Sequence, residues 1–257
     1  MTDLPVINKV AASEGIRWVG QSFSIFSKSS SIWVVMLIIY FGISILLTTI
    51  PVLVLLPSLL APIFNAGFMF AAKTVDNGQM LEIDHLFAGF KQQFRSLFRL
   101  GLIYFLLNLL IIAVISFVLE WIADPAALAA MNQATTTAEL EKILVQSPEL
   151  LIALFKALMI GLVLSIPLVM ASWFSSALVL FHQIPPSKAM LMSLSACNRN
   201  MFAFLLYGLL LTPLLMLAML PLALGLLIMI PVIFIGQYCS YKVIFSQQQS
   251  DKGVFIV

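Results

Sequence analysis

Two long stretches of this chain carry no charged side chain, Ser29–Ala72 and Asn200–Tyr241, which are 44 and 42 residues long. A helix crosses the hydrocarbon core of a bilayer with about 20 apolar residues. Each stretch is therefore long enough for two crossings, and each has a proline near its middle, Pro51 and Pro221. This pattern predicts a polytopic membrane protein and excludes a soluble globular one.

The composition agrees, because only 9% of the residues are charged and the mean hydropathy is +1.10. We expect an all-α fold, a polytopic transmembrane helical bundle that forms a single membrane domain over residues 1–257. The apolar runs predict six spans, at 32–50, 52–72, 100–119, 150–181, 201–220 and 222–241.

The charges are distributed unevenly between the two sides of these spans. The segments on one side are 1–31, 73–99, 182–200 and 242–257, and they hold 11 of the 13 basic residues, Lys252 included. The loop 120–149 on the other side holds five carboxylates against Lys142. Basic residues stay preferentially in the cytoplasm, so both termini are predicted to be cytoplasmic. The first apolar run is too long for a cleavable signal peptide.

A proline pattern repeats along the chain. P-x4-G-x5-K occurs twice without a gap, and a weaker copy without the lysine lies between. The members are Pro62, Gly67 and Lys73, then Pro167 and Ser172, then Pro231, Gly236 and Lys242. We interpret these as three units, about 13–75, 84–183 and 187–245, each ending in a helical hairpin; the alternative is that prolines and glycines coincide by chance.

Each hairpin is preceded by an amphipathic segment that ends in a basic residue. The apolar positions are Ile16, Val19, Phe23 and Phe26; Phe87, Phe90, Phe94 and Leu97; and Met190, Leu194, Cys197 and Met201. Such segments favour helices in the cytoplasmic interface of the membrane, with cations near anionic headgroups. The predicted headgroup contacts are Lys28, Arg95, Arg99 and Arg199.

The prolines and small residues suggest kinks and close helix packing. Proline removes a helix hydrogen bond, and the carbonyl that it frees must be satisfied inside the protein. Small residues let helix backbones approach. We therefore predict that helix kinks, packed against neighbours or lining a cavity, occur at Pro62, Gly67, Pro167, Ser172, Pro231 and Gly236.

Catalytic and metal-binding motifs are not recognised in the sequence, so no catalytic residue, metal or cofactor is predicted. Asp76, Glu82, Asp84 and His85 are close in sequence, but Asp84 is better interpreted as the N-cap of a helix over 86–97. Thr137 is predicted to cap a short helix in the external loop. An intramembrane lipid-modifying enzyme that uses His85 or His182 is a minor alternative.

Several local strings resemble a family of uncharacterised bacterial inner-membrane proteins. They are 65–69 (NAGFM), 85–90 (HLFAGF), 173–178 (WFSSAL) with Phe181 and His182, and 195–200 (SACNRN). More remotely, the architecture is similar to the membrane domain of some glycerophosphodiester phosphodiesterases, without their catalytic domain. The resemblance implies a six-helix protein of the bacterial inner membrane and brings no activity.

The sequence thus favours a non-enzymatic integral inner-membrane protein with a scaffold or homeostasis role in the envelope. The partners expected are membrane lipids and a protein of the envelope, and no nucleic acid. The alternative is a transporter or channel for a lipid or an apolar small molecule, whose cavity the kinked helices would line.

Overall fold

A computed structural model describes residues 4–220 and 222–245; Pro221 and Lys252 lie outside them. The described chain is helical and contains no β-strand. Two 3₁₀ helices, Pro51–Leu53 and Ile83–Phe87, accompany the α-helices, which are α1 (Glu14–Ser27), α2 (Ser30–Thr48), α3 (Leu56–Asp76), α4 (Ala88–Gln92), α5 (Phe94–Ile122), α6 (Pro125–Gln133), α7 (Thr137–Gln146), α8 (Pro148–His182), α9 (Pro186–Arg199), α10 (Met201–Met219) and α11 (Leu226–Ile244).

Six of these helices are long and apolar enough to cross a membrane, namely α2, α3, α5, α8, α10 and α11. They coincide with the six predicted spans, which confirms an all-α polytopic architecture. The largest differences are at α5, which begins six residues earlier than predicted, and at α3 and α11, which each begin four residues later. At the end of α3 and at the start of α5 the helix continues past the apolar run, where hydropathy no longer marks its boundary.

The chain divides into two compact units, and the first combines Met1–Leu102 with Met170–Val257. Its most buried spans are α3 and α11. Each contains a buried proline, Pro62 or Pro231. Between the two helices, the rings of Phe68 and Phe234 stack with centroids 4.4 Å apart. The two proline-containing helices are therefore packed together as the centre of this unit.

Helix α1 packs against α10 and α11 through a buried face that includes Trp18 and Ser22. A Cβ added to Gly15 would lie 2.1 Å from the backbone oxygen of Ala203, so only glycine allows this approach. The face differs from the predicted one, since Ile16 is 52% exposed. The residues of α1 that contact the two spans include small ones such as Gly15 and Ser22. A search for apolar residues at helical spacing does not find them.

The helix predicted over 86–97 is not continuous. A 3₁₀ helix and the short α4 are separated from α5 at Gln93, whose backbone is not helical. The 3₁₀ helix lies on α3, where a Cβ added to Gly67 would lie 2.0 Å from the backbone oxygen of Leu86. The Asp84 cap was also wrong: Glu82 caps the 3₁₀ helix, and Asp84 pairs with Lys91.

Helix α9 is bonded to the last third of α8. The Ser193 hydroxyl donates to the carbonyl of Met170 at 2.6 Å and accepts from the Phe174 amide at 2.9 Å. These two partners lie two residues before and two residues after Ser172. A buried hydroxyl thus joins the two helices at the position where the repeat has its small residue.

The N-terminal segment before α1 is tied down where α9 meets α10. The Asn200 side chain accepts from the Val10 amide at 2.8 Å and donates to the carbonyl of Asn8 at 3.0 Å. The Asn8 amide donates to the carbonyl of Ile244 at 2.9 Å. We call residues 5–10 the N-terminal strap, since these bonds hold it against the helices.

The second unit, Ile103–Val169, contains α6 and α7 with the adjoining parts of α5 and α8. A small apolar cluster holds it together, built on Ala123, Ala127, Leu150 and Ala153. The predicted external loop is thus two short helices. Thr136, one residue before the predicted Thr137, caps α7: its hydroxyl accepts the Glu139 amide at 3.2 Å.

Candidate functional site

The C-terminal ends of α3, α8 and α11 are joined by polar contacts that we call the polar ring. Its members are Lys73, Asp76, Phe181, His182, Tyr238, Tyr241 and Lys242. The Lys73 ammonium lies 4.5 Å from the centre of the Phe181 ring, which links α3 to α8. His182 Nε2 and the Tyr241 hydroxyl are 2.7 Å apart, which links α8 to α11.

The third link, from α11 to α3, is an ion pair supported by a hydroxyl. Lys242 Nζ lies 2.6 Å from Asp76 Oδ2, and the Tyr238 hydroxyl donates to the same oxygen at 2.8 Å. The Asp76 side chain is 22% exposed and that of Lys242 is 59% exposed. Ion pairs open to solvent contribute up to about 1 kcal/mol, so this link positions the helix ends more than it stabilises them.

A pocket of about 210 Å³ lies beside this ion pair, between α1, α3 and α11. The polar side chains in its lining are those of Gln21, Ser24, Lys28, Asp76, Tyr238 and Lys242. Two lysines thus face a single carboxylate. Of the four predicted headgroup contacts, only Lys28 lines this pocket, and sequence analysis missed the pairing of Asp76 with Lys242.

The pocket lies at the polar boundary of the spans. Lys28 directly precedes the first charge-free stretch, and Lys242 directly follows the second. The fold brings these two boundary residues into one lining. In a membrane, the first charged side chains beyond an apolar span lie in the headgroup region.

The other predicted headgroup contacts lie elsewhere in the first unit. Arg95 and Arg99 are exposed and one turn apart at the start of α5, so they share a face. Arg199 Nη1 donates to the carbonyl of Ile7 at 3.2 Å, so one part of its guanidinium holds the N-terminal strap. The structure does not gather the four residues into one site.

The predicted kink residues also lie outside the pocket lining. Pro62 and Pro231 are buried in the packed centre of the first unit, and Pro167 lies inside α8 within the second unit. A Cβ added to Gly236 would lie 2.2 Å from the Tyr207 hydroxyl. A fourth internal proline, Pro213 in α10, was not singled out from the sequence, since it falls outside the repeated pattern.

Both histidines have partners in the structure. His182 is in the polar ring, and His85 Nδ1 accepts the Glu82 amide at 3.1 Å as part of a capping box. Over residues 4–220 and 222–245, His, Cys, Asp and Glu side chains do not gather into a group of three or more that could hold a metal ion.

Comparison with known proteins places the chain near one bacterial protein. It is 29% identical over 207 residues to a protein of Burkholderia thailandensis that is named "Probable inner membrane protein"; the match covers 79% of this chain and 73% of that protein. No known protein-family profile and no solved structure matches the chain. The relative and the six apolar helices together support a multi-pass protein of the bacterial inner membrane.

Proposed function

We propose that the protein is a non-enzymatic component of the bacterial envelope that holds anionic lipids, and through them or directly a protein partner, at its basic membrane edge. The observation that carries this proposal is the exposure of basic side chains at the ends of the spans. Lys28, Arg95, Arg99 and Arg199 are all exposed. Basic side chains beside a span attract anionic headgroups, with about 1 kcal/mol for each cation near the surface.

The start of α5 illustrates how such an edge would hold a lipid. Arg95 and Arg99 present two guanidinium groups on one face, and the exposed Phe94 precedes them. An arginine fork can bind a phosphate through two parallel hydrogen bonds. An aromatic ring beside it suits the interface between acyl chains and headgroups.

The proposed orientation places this edge in the cytoplasm with both chain termini. It rests on the distribution of basic residues described above. The loop 120–149, with its five carboxylates against Lys142, would then lie on the opposite side of the membrane.

We further propose that the three repeat units are arranged cyclically. Three contacts support this arrangement, each between the small position of one unit and the amphipathic segment of the next: Gly67 with Leu86, the α8 backbone around Ser172 with Ser193, and Gly236 with Ser22. In this arrangement the first unit contacts the second, the second contacts the third, and the third contacts the first. The polar ring joins the same three helices.

A transporter or channel has less support. In that alternative the helices that contain Pro62 and Pro231 would line a cavity, but Phe68 and Phe234 stack between these helices. The remote likeness to the membrane domain of glycerophosphodiester phosphodiesterases stays a prediction and adds no activity to the proposal.

The proposal is tested by titrating the purified protein with phosphatidylglycerol and following its thermal unfolding midpoint. The lipid should raise the midpoint of the wild type, and the Arg95→Gln/Arg99→Gln variant should lose most of that rise. The matched control is Lys142→Gln, which removes an exposed cation from α7 and should respond as the wild type does. An unchanged response in the arginine variant would show that these residues do not hold anionic lipid.

A further inference from the structure

We propose that the pocket between α1, α3 and α11 binds the phosphoethanolamine group of an aminophospholipid. The pocket holds both signs of charge, in Lys28, Lys242 and Asp76, at the boundary of the charge-free spans. This inference rests on the proposed lipid-binding role and names the headgroup chemistry of one site. It is independent of Arg95 and Arg99, which lie outside the pocket lining.

The phosphate would be held by the two lysines. The Asp76 carboxylate already neutralises one positive charge through Lys242 Nζ, at 2.6 Å. Lys28 is exposed, lines the same pocket and adds a second positive charge. An ammonium has three N–H donors, so Lys242 retains donors beyond the one directed at Asp76. A phosphate diester carries one negative charge, which balances the excess of one lysine.

The ammonium of the ligand would be held by the negative groups of the pocket. Asp76 Oδ2 accepts from Tyr238 and Lys242. A carboxylate has about four lone-pair sites on its two oxygens, so Asp76 can accept more. Helices α3 and α11 also end here, at Asp76 and Ile244. Each helix end bears roughly half a negative charge on its last carbonyls.

This mixture of charges discriminates between headgroups. A purely anionic headgroup brings a phosphate for the two lysines, but it has no cation of its own for Asp76 and the negative ends of α3 and α11. A choline headgroup has a cation but no N–H to donate to a carboxylate. Ethanolamine supplies both the positive charge and the N–H donors, so it fits the pocket better than glycerol or choline.

The test counts lipids bound to the full-length protein in detergent by native mass spectrometry. Phosphatidylethanolamine, phosphatidylglycerol and phosphatidylcholine with identical acyl chains are titrated separately. We expect the first to bind on the order of tenfold more tightly than the other two, since one charge-assisted hydrogen bond is at stake. Equal affinities for all three lipids would overturn the inference.

Two variants locate the binding in the pocket. Lys28→Gln should weaken phosphatidylethanolamine binding about tenfold. Ser24→Trp fills the pocket from an exposed position and should abolish the preference without changing any charge. Unchanged affinity in Lys28→Gln, or a retained preference in Ser24→Trp, would overturn the assignment. Lys142→Gln serves as the control and should keep the preference.

Soluble phosphoethanolamine distinguishes a lipid from a free ligand. We expect it to compete only at concentrations far above those of the lipid, because it lacks the acyl chains. Tight binding of the soluble compound with no binding of the lipid would assign the pocket to a soluble ligand and overturn the lipid assignment. Loss of the phosphatidylglycerol response in Arg95→Gln/Arg99→Gln has no bearing on the pocket, so the two proposals fail separately.

Discussion

At the scale of single residues, Gly67 is one of the glycines of the first unit at which an added Cβ would meet a neighbouring backbone. An added Cβ would lie 2.0 Å from the backbone oxygen of Leu86, and 2.6 Å from its carbonyl carbon. Backbone atoms cannot rotate away as a side chain can, so a methyl group here forces the 3₁₀ helix off α3. Gly67 is therefore required because it lets the two backbones approach, and not because it makes the helix flexible.

The Gly67→Ala variant should lower the thermal unfolding midpoint, because overpacking typically costs about 1–3 kcal/mol. The matched control is Gly208→Ala in α10, where nothing lies within 4 Å of an added Cβ. Alanine there removes a glycine from a helix interior and should leave the midpoint unchanged or raise it. Equal midpoints for the two variants would contradict the close approach at Gly67.

Sequence reasoning identified Gly67 and Lys28 but missed the role of Asp76. In the sequence, Asp76 stands beside Asn77 and Gly78, which together predict a turn. Its partners Tyr238 and Lys242 come more than 160 residues later. A local pattern cannot reveal such a pairing, because only the packing of α3 on α11 brings the three residues together.

At the scale of elements, α7 begins with a capping box built on Thr136 and Glu139. The Thr136→Ala variant should speed hydrogen exchange of the first α7 amides about fivefold, since a lost N-cap costs about 1 kcal/mol. The control is Thr137→Ala, at the residue that sequence reasoning chose as the cap. A larger effect from Thr137→Ala would contradict the assigned cap.

The same cap predicts a dependence on pH. The backbone amides of Thr135 and Thr136 donate to the Glu139 carboxylate and lower its pKa. The stabilisation of the start of α7 by this carboxylate is therefore complete above the pKa of glutamate in the unfolded chain. It is lost as the pH falls through the lower pKa of Glu139 in the folded state. The protection of the first α7 amides from exchange should fall as the pH falls through this range, whereas Glu139→Gln, which removes the carboxylate, should abolish this loss.

The buried Asn200 side chain makes two of the hydrogen bonds that hold the N-terminal strap. The Asn200→Ala variant removes the acceptor of the Val10 amide and the donor to the carbonyl of Asn8, at a cost of about 1 kcal/mol for each bond. Trypsin should then cut after the exposed Lys9 on the order of tenfold faster. Asn198→Ala, an exposed neighbour, should be cut at the rate of the wild type; equal rates in both variants would contradict the strap.

The spans were predictable as elements, but the segment between α3 and α5 was not. Apolar residues at helical spacing predicted one helix over 86–97. The structure breaks this segment at Gln93 because its first part follows the surface of α3 at Gly67 and Ile63. Periodicity records which side chains are apolar, but it does not record the backbone contacts that end a helix.

At the scale of the whole molecule, the orientation can be tested by labelling single cysteines. In a Cys197→Ser/Cys239→Ser background, Gln133→Cys at the end of α6 should react with an impermeant maleimide in intact spheroplasts. Gln92→Cys, at the end of α4, should react only after the membrane is opened. The reverse pattern would place the basic edge outside the cytoplasm.

The number and position of the spans could be read from the sequence because hydropathy is averaged over about 20 residues. The cyclic order that we propose for the three predicted units could not, although the proline pattern is visible at Pro62, Pro167 and Pro231. A repeat in the sequence identifies the units but does not show which unit packs against which. Contacts such as that of Ser22 with Gly236 carry this information.

The most direct test of the central claim is native mass spectrometry of the protein gently extracted from its own membrane. The wild type is compared with a variant in which Lys28, Arg95, Arg99 and Arg199 are changed to Gln, and with a Lys142→Gln control. We expect the wild type and the control to retain phospholipids in a fixed ratio, and the four-site variant to lose them. The same lipids in the same ratio on all three proteins would contradict a lipid-holding role for the basic edge.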